Sequence, residues 1–490
     1  MDMDASFIFR KMKEKISSDD TAVLLIIVFS LVIVSVRFIF GAVPWYFLIA
    51  TVPMFFAALL RPQAGIFAIL ILTVLFERFF TLEGFQLGRD VLKFYPIDAV
   101  LLGVYGGVAA KLLFGKVRFA WKAADTLLVA FFLLVTAYFA ASFAGFGSQE
   151  TAVAFSTWKN YVFYGALFFS LPILLEREDD MRRLARYFLA AAVLGIVFII
   201  IGTARGEGLW TQFTPLSTEG VRLLAFPHAF YFSLAFLSLF VTTKYWLSIR
   251  YRLFLWMALA LWLFGILGSL MRHMWIGMAA ALLLASVFLM DGAGRRVAGK
   301  MIAIALALIT AVFSCWLFVS FLFPASGVGS AFQSVSGAVT SRVVSIGSSA
   351  DESISWRGST WHSAFTELAT NPVFGTGLGL RIPVESGDYR DFVEIRNIHN
   401  SWLAVLVQTG ILSFLLLAAS VAAMAWNAFR LKPATSFLSA LRIALLTLIA
   451  YQAIVLLAQP YLETNLTGIF FWMTLGLLKA VTLISDTKEI

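Results

Sequence analysis

Repeated long apolar segments constrain the fold of this chain more than any other feature. A helix needs about 20 apolar residues to cross the hydrocarbon core of a bilayer. Only 13% of the residues are charged, whereas a soluble protein carries about 25%. The sequence therefore predicts an all-α integral membrane protein with about 12–14 transmembrane helices. The fourteen candidate segments are residues 21–40, 42–60, 64–80, 94–115, 124–145, 158–175, 184–202, 223–243, 252–270, 272–290, 300–323, 403–426, 436–458 and 464–485.

The spacing of these segments predicts how the chain is organised. Residues 1–20 form an N-terminal segment, residues 21–323 carry eleven helices, and residues 403–485 carry three more. Between the two helical sets lies one long polar segment, residues 324–402, which we interpret as a large loop containing short amphipathic helices. Residues 486–490 form a short tail.

Basic residues concentrate in alternate short loops, which predicts the orientation of the chain. The pattern places both termini in the cytoplasm and the loop 324–402 on the opposite, outer side of the membrane. It also accounts for the net charge of +9 without nucleic acid, for which no basic stripe is present. The basic residues are Arg10, Lys11, Lys13, Lys15, Lys116, Arg118, Lys122, Arg182, Arg183, Arg186, Lys244, Arg250, Arg252, Arg295, Arg296, Lys300, Arg430 and Lys432.

Three arginines of the predicted outer face stand beside apolar sequence: Arg222, Arg272 and Arg357. A guanidinium near hydrocarbon is costly unless it is paired or extends to the headgroups, and such extension is the alternative interpretation for each one. Together they favour a lipid phosphate or pyrophosphate ligand, because guanidinium groups bind phosphate oxygens in bidentate fashion. Lys159 is a further candidate anion-binding residue, with interfacial extension again the alternative.

The loop contains a predicted helix followed by a glycine-rich run. Trp361, Phe365 and Leu368 recur at helical spacing, which predicts an amphipathic helix on the outer membrane surface with its aromatic rings toward the bilayer. Asn371-Pro372 ends it. The following sequence, GTGLG around Gly377, either directs backbone N–H groups at a phosphate or is a simple turn.

His399 and Asn400 stand where the polar loop meets the next apolar segment. An imidazole with an ordinary pKa near 6.5 suits a general base at neutral pH, and Asn400 is a candidate to orient it or to bind a sugar. The alternative is an interfacial histidine that caps a helix. No histidine or cysteine pair has the spacing of a metal site, so we predict neither a metal nor another cofactor.

Several of these motifs together resemble the O-antigen ligase/polymerase superfamily. His399-Asn400-x-x-Leu403-x-x-Leu406-Val407-x-x-Gly410 is similar to its signature, and Arg357-x-x-x-Trp361 with NPVFGTGLG is similar to its loop segment. GVRLLAFPHAF and SLMRHMWIGM resemble two further elements, with Ala225, His228 and Met271 departing from the family pattern. The resemblance covers about residues 220–415.

The resemblance implies a metal-independent glycosyltransferase of the bacterial inner membrane, with its active site facing the periplasm. Its expected donor is a glycan on undecaprenyl pyrophosphate, and its expected acceptor is a hydroxyl of another glycan, of the lipid A core or of a similar molecule. The expected catalytic residues are His399, Arg272 and Arg357, and the expected substrate-binding residues are Arg222, Asn400, Trp361, Gly377 and Lys159.

Two other functions remain open from the sequence. A surface polysaccharide polymerase uses the same donor chemistry as a ligase, and these motifs do not specify the acceptor. A polysaccharide-lipid transporter or flippase is the alternative from another class. Such transporters bury ionisable groups near the midplane and show repeated halves, whereas here the charged residues of the apolar segments lie near their ends.

Overall fold

The computed structural model describes residues 18–40, 44–75, 85–87, 90–115, 119–144, 150–205, 224–246, 252–322, 352–386, 389–433 and 435–486. Within these residues the chain is a bundle of helices with two small β-hairpins. The helices are α1 Ser18–Phe40, α2 Pro44–Leu60, α3 Pro62–Leu75, α4 Pro96–Leu113, α5 Ala123–Phe143, α6 Thr151–Trp158, α7 Leu167–Leu174, α8 Glu178–Leu194, α9 Ile196–Arg205, α10 Phe226–Val241, α11 Thr243–Trp246, α12 Arg252–Gly268, α13 Arg272–Leu284, α14 Gly292–Leu322, α15 Glu352–Thr370, α16 Ser401–Arg430, α17 Ser436–Val455 and α18 Asn465–Asp486.

Shorter elements complete the described chain. Turns of π-helix span Lys159–Phe163 and Ala285–Leu289, and a 3-10 turn spans Ile395–Asn397. The strands are β1 Phe85–Leu87, β2 Asp90–Leu92, β3 Arg381–Ser386 and β4 Tyr389–Glu394, and they form two antiparallel hairpins, β1–β2 and β3–β4.

The helical prediction is confirmed. Each of the fourteen predicted segments contains a helix, and eight helical segments of the described chain are long and apolar enough to cross a membrane. Four others are apolar but shorter, so length alone does not assign a single number of membrane spans. The β-hairpins were not predicted, because strands of three to six residues produce little alternation in a sequence.

Helix α18 lies inside the bundle, packed against α7, α16 and α17. Its Trp472 is fully buried and donates its indole N–H to the carbonyl of Asn160 at 2.9 Å. A buried indole needs such a partner because an unpaired N–H away from water is costly. The residues of the π turn Lys159–Phe163 are thereby held against the centre of the molecule.

Two buried ion pairs join helices that are distant in sequence. Lys159 lies 2.7 Å from Asp98 of α4, and Lys479 of α18 lies 2.7 Å from Asp125 of α5. All four side chains are almost completely enclosed. Each lysine is also placed over an aromatic ring, Lys159 over Tyr95 and Lys479 over Phe119, which adds a favourable cation–π contact.

A second, smaller core joins the outer region to the membrane bundle. Helix α15, hairpin β3–β4 and the first turns of α16 enclose it. Trp361 packs at its edge and donates its indole N–H to the carbonyl of Ile398 at 2.9 Å. The buried members are Ala364, Leu368, Ile382, Val384, Ile395, Ile398, Leu403, Ala404 and Val407.

This core corrects the prediction that the aromatic rings of α15 face the bilayer. Helix α15 exists and ends at Thr370, before Asn371-Pro372, as predicted. Its apolar stripe is divided, however: Trp361 and Leu368 pack into the small core and Phe365 is exposed. Helical spacing shows that residues share a face but not what covers that face, and here the hairpin β3–β4 covers most of it.

Helix α16 is interrupted at Gly410, where the backbone has φ 74° and ψ 174°. The outer segment 371–379 fills the interruption. The amides of Ile411 and Leu412 donate to the carbonyls of Pro372 and Val373 (2.9 and 3.3 Å), and those of Thr376 and Gly377 donate to the carbonyls of Val407 and Gln408 (both 2.9 Å). We call segment 371–379 the strap. It supplies the partners that a broken helix loses, which is required where water is absent.

Candidate functional site

His399 is held in an unusual backbone conformation directly before α16. Its φ of 57° lies in the left-handed region, which costs a residue with a Cβ about 1–2 kcal/mol. Its Nδ1 lies 2.8 Å from Oε1 of Gln459, and the indole of Trp356 contacts the ring edge-on at 5.1 Å between centroids. A strained residue held by contacts on two sides is typical of a functional position.

These contacts determine the chemical state of the imidazole. Because Gln459 presents a carbonyl oxygen, Nδ1 carries the proton and Nε2 keeps its lone pair. Burial, and after it the positive charge of Arg357, lower the pKa of His399 to about 4, while the bond to Gln459 acts in the opposite sense. The ring is therefore neutral at physiological pH, as a proton acceptor must be.

His399, Gln459 and Trp356 form a cluster, and Arg357 of helix α15 belongs to it. Arg357 follows Trp356, which contacts the His399 ring, and its charge acts on that ring. Helix α15 is fixed in turn because Trp361, one turn further on, bonds to the residue before His399. The structure thus brings together Arg357 and His399, two of the three predicted catalytic residues.

Arg272 lies next to a residue that contacts the loop carrying Gln459. It is the first residue of α13, and the Nε2 of its neighbour His273 lies 2.6 Å from the hydroxyl of Tyr461. Tyr461 belongs to the short loop 456–464, which also supplies Gln459 to His399. The beginning of α13 and the beginning of α16 therefore border one loop.

Asn400 and Trp361 make structural contacts in this arrangement. The Asn400 side chain accepts the amide of Leu403 at 3.0 Å and caps α16. Capping by asparagine satisfies one of the four unpaired amides at a helix start. The sequence offered a capping histidine as the alternative interpretation of His399, but the residue that caps α16 is Asn400.

Gly377 and Lys159 each bond to another part of the chain. The Gly377 amide donates to Gln408 within the strap, and a φ of 85° explains the need for glycine. The glycine run is therefore a turn packed on α16, and the amides of Thr376 and Gly377 are engaged within the protein. Lys159 is buried in its ion pair with Asp98, so its charge is already compensated. Arg222 lies outside the described residues.

Four residues of the cluster were not predicted as site residues: Gln459, Trp356, Ser401 and Glu463. Ser401 Oγ lies 2.5 Å from Oε2 of Glu463, and Oε1 of Glu463 lies 2.5 Å from the hydroxyl of Tyr161. The sequence signal was a concentration of polar residues, QPYLETN, in a very short loop between two apolar segments. Only the fold shows that this loop lies against His399.

No described set of three or more histidine, cysteine, aspartate or glutamate side chains is arranged to hold a metal ion. Arginines also lie near the cluster. Arg396, in the 3-10 turn before His399, binds Glu394 at 2.6 Å and Ser156 at 2.7 Å. It ties this turn to α6.

The bundle and its cluster define the class of this protein: a multi-pass helical membrane protein with a histidine–arginine site where α13 and α16 begin and α17 ends. Residues 256–418 match the protein family described as O-antigen ligase, which confirms the resemblance to the O-antigen ligase/polymerase superfamily. The matched part includes Arg272, Arg357 and His399 and ends within α16. A comparison with curated proteins gave no significant match. The family supports glycan transfer of ligase or polymerase type.

Proposed function

We propose that this protein transfers a glycan from undecaprenyl pyrophosphate to an acceptor hydroxyl at the periplasmic face of the inner membrane, as an O-antigen ligase does. The observation that carries the proposal is His399: a neutral imidazole with Nδ1–H fixed by Gln459 and with Arg357 beside it. A fixed tautomer presents the lone pair of Nε2 to a hydroxyl, and an adjacent guanidinium attracts the phosphate of the donor.

The reaction is a single displacement at the anomeric carbon. Nε2 of His399 accepts the proton of the acceptor hydroxyl as its oxygen bonds to that carbon. The bond from the carbon to the pyrophosphate oxygen breaks, and the pyrophosphate leaves with the electron pair. Attack opposite the leaving group inverts the anomeric configuration.

The leaving pyrophosphate gains negative charge in this step. We assign its stabilisation to Arg357 and Arg272, with Arg222 as a further ligand. Fixed positive charge in a partly dry site stabilises a developing anion by several kcal/mol. The mechanism we propose assigns this task to guanidinium groups and requires no divalent cation.

Binding of the donor also makes His399 a stronger base. A group with a pKa of about 4 accepts a proton poorly, and part of that low value comes from Arg357. A bound pyrophosphate neutralises Arg357 and so raises the pKa of His399 toward its ordinary value. The base is thus strengthened when the donor is in place, which links proton transfer to the loaded site.

Alanine substitution tests this assignment. We expect His399→Ala to lower transfer by about 100-fold or more, which is what loss of a general base costs, and Arg357→Ala and Arg272→Ala to lower it comparably. His362→Ala is the matched control, because His362 lies on the exposed side of α15. Transfer by purified protein from a polyprenyl-pyrophosphate-linked glycan is the measurement. Near wild-type transfer by His399→Ala would reject the proposal, as would activity that EDTA removes and a divalent ion restores.

Polymerase activity is the second candidate, since the family match supports both reactions. Deleting the gene and separating surface polysaccharide on a gel distinguishes them. Intact lipid-linked polymer that is no longer attached to its acceptor indicates a ligase, whereas glycan of a single repeat indicates a polymerase.

A further inference from the structure

Glu463 is a buried carboxyl group that the proposed mechanism does not use. It lies in the loop between α17 and α18, and only 6% of the residue is exposed. Its two oxygens contact hydroxyl groups: Oε1 contacts Tyr161 and Oε2 contacts Ser401, both at 2.5 Å. Its carbonyl accepts from the side-chain amide of Asn160 at 2.5 Å. Glu463 therefore joins the π turn at residues 159–163 to the start of α16.

The Ser401 contact connects Glu463 to His399. Ser401 follows His399-Asn400, its amide donates to Leu456 at 2.8 Å, and its Oγ lies 3.2 Å from the carbonyl of Gln459. The side chain of Gln459 accepts the Nδ1–H of His399. Two short segments, 399–401 and 456–463, are thus bonded to each other at both ends. We expect that removal of the Ser401–Glu463 contact loosens the contact between Gln459 and His399.

Counting protons favours the neutral acid at Glu463. Ser401 has one hydroxyl proton and two acceptors within reach, the Gln459 carbonyl and Glu463 Oε2. If Glu463 is ionised, that proton goes to the carboxylate and the Gln459 carbonyl loses its hydroxyl donor. If Glu463 is protonated, the acid donates to Ser401 Oγ and Ser401 donates to Gln459. Only the acid form satisfies both bonds.

The buried surroundings of Glu463 also favour its protonated form. Burial raises the pKa of Glu463 to about 7, against the opposing influence of the Ser401 and Tyr161 hydroxyls and of the Arg396 charge. The titratable or charged groups that act on Glu463 are Tyr161 from the π turn and Arg396 from the 3-10 turn before His399. Most of the carboxyl population is therefore protonated below neutral pH.

We propose that Glu463, as a neutral acid, is a positioning residue for His399: it fixes the Ser401–Gln459 contact, which fixes the Nδ1–H tautomer of the imidazole. This inference rests on the proposed function, in which Nε2 of His399 is the proton acceptor. It assigns a role to an acidic residue beyond residues 256–418, outside the part that matches the O-antigen ligase family.

The tautomer of His399 can be read by NMR of protein labelled with 15N-histidine, since the chain has only four histidines and His399→Ala identifies the signal. We expect wild type and Glu463→Gln to hold the proton on Nδ1, because the amide of glutamine donates to Ser401 and its oxygen accepts from Tyr161. We expect Glu463→Ala to populate both tautomers. Glu367→Gln, on α15 and outside this network, is the matched control.

Transfer from a polyprenyl-pyrophosphate-linked oligosaccharide is the second readout. We expect Glu463→Ala to lower kcat about 10-fold or more with little change in KM, because a misplaced base affects chemistry rather than donor binding. As pH rises through about 7, wild type should lose kcat as Glu463 ionises, and Glu463→Gln should not. The pH dependence of kcat in wild type and in Glu463→Gln tests the inference even if Glu463→Ala does not fold.

Two results overturn the inference. One is a Glu463→Gln protein that loses the tautomer or the rate as Glu463→Ala does, since that requires an ionisable carboxyl. The other is a Glu463→Ala protein with wild-type tautomer and rate. Retained transfer by His399→Ala would instead reject the proposed function, and the NMR result on Glu463 would stand independently of it.

Discussion

At the scale of single residues, His399 shows how neighbours create a base from an ordinary side chain. Gln459 selects the tautomer, Trp356 contacts the ring edge, and burial together with Arg357 keeps the ring neutral. None of these neighbours adjoins His399 in the sequence. A left-handed backbone at a non-glycine residue persists because contacts on both sides hold it.

The pH dependence of transfer tests this description. A base is active when unprotonated, so a pKa of about 4 in the free protein keeps kcat/KM constant as pH falls well below the ordinary histidine range. Because bound pyrophosphate raises that pKa, the acidic limb of kcat should lie at higher pH than the limb of kcat/KM. Arg357→Gln should move the limb of kcat/KM upward, since it removes one cause of the lowering. Coincident limbs in the wild type would contradict the role given to Arg357.

At the scale of elements, the interruption of α16 joins the outer region to the membrane bundle. The strap lies between α15, which carries Arg357, and the hairpin that leads to His399. It is bonded to both sides of the break at Gly410. The strap therefore links the segments that carry both Arg357 and His399 to the bundle. An unbroken helix would bond the Ile411 amide to Val407 and would remove the bonds that the strap makes at the break.

Gly410→Ala tests the strap. A Cβ at this position would lie 2.2 Å from the carbonyl oxygen of Val373, and the backbone conformation itself excludes a side chain. We expect a loss of about 3 kcal/mol or more in stability and earlier proteolysis of residues 352–400. Gly299→Ala in α14 is the control, because nothing lies within 4 Å of a Cβ there. Equal melting temperatures for the two variants would show that the strap does not depend on Gly410.

At the scale of the whole molecule, two buried ion pairs join helices that are distant in sequence. Lys159–Asp98 lies in the element that also carries Asn160 and Tyr161 to Glu463. A buried pair contributes little by itself, because desolvation offsets the attraction, but loss of one partner leaves an uncompensated charge. The pair therefore fixes the arrangement of the helices more than it adds to their stability.

Lys159→Ala should consequently destabilise the protein by about 3–5 kcal/mol, and Lys159→Met with Asp98→Asn should recover much of that loss. Thermal unfolding in detergent is the measurement. The exposed pair Arg390–Glu385 of the hairpin is the control, and Arg390→Ala should leave the melting temperature unchanged. If Lys159→Ala bound pyrophosphate less tightly while melting like the wild type, the lysine would be an anion ligand after all.

The sequence by itself determined the helices, the class of membrane protein and the resemblance to the O-antigen ligase/polymerase superfamily, and it identified His399, Arg272 and Arg357 as the residues to examine. Those features depend on composition, on apolar runs and on motifs that are local along the chain. Only the tertiary structure decided that Lys159 is paired with Asp98, that the glycine run packs on Gly410, and that Gln459 and Glu463 lie against His399. Those pairings join segments that are tens to hundreds of residues apart, and no local pattern specifies them, because a buried polar group finds its partner only when the packed helices bring one within reach.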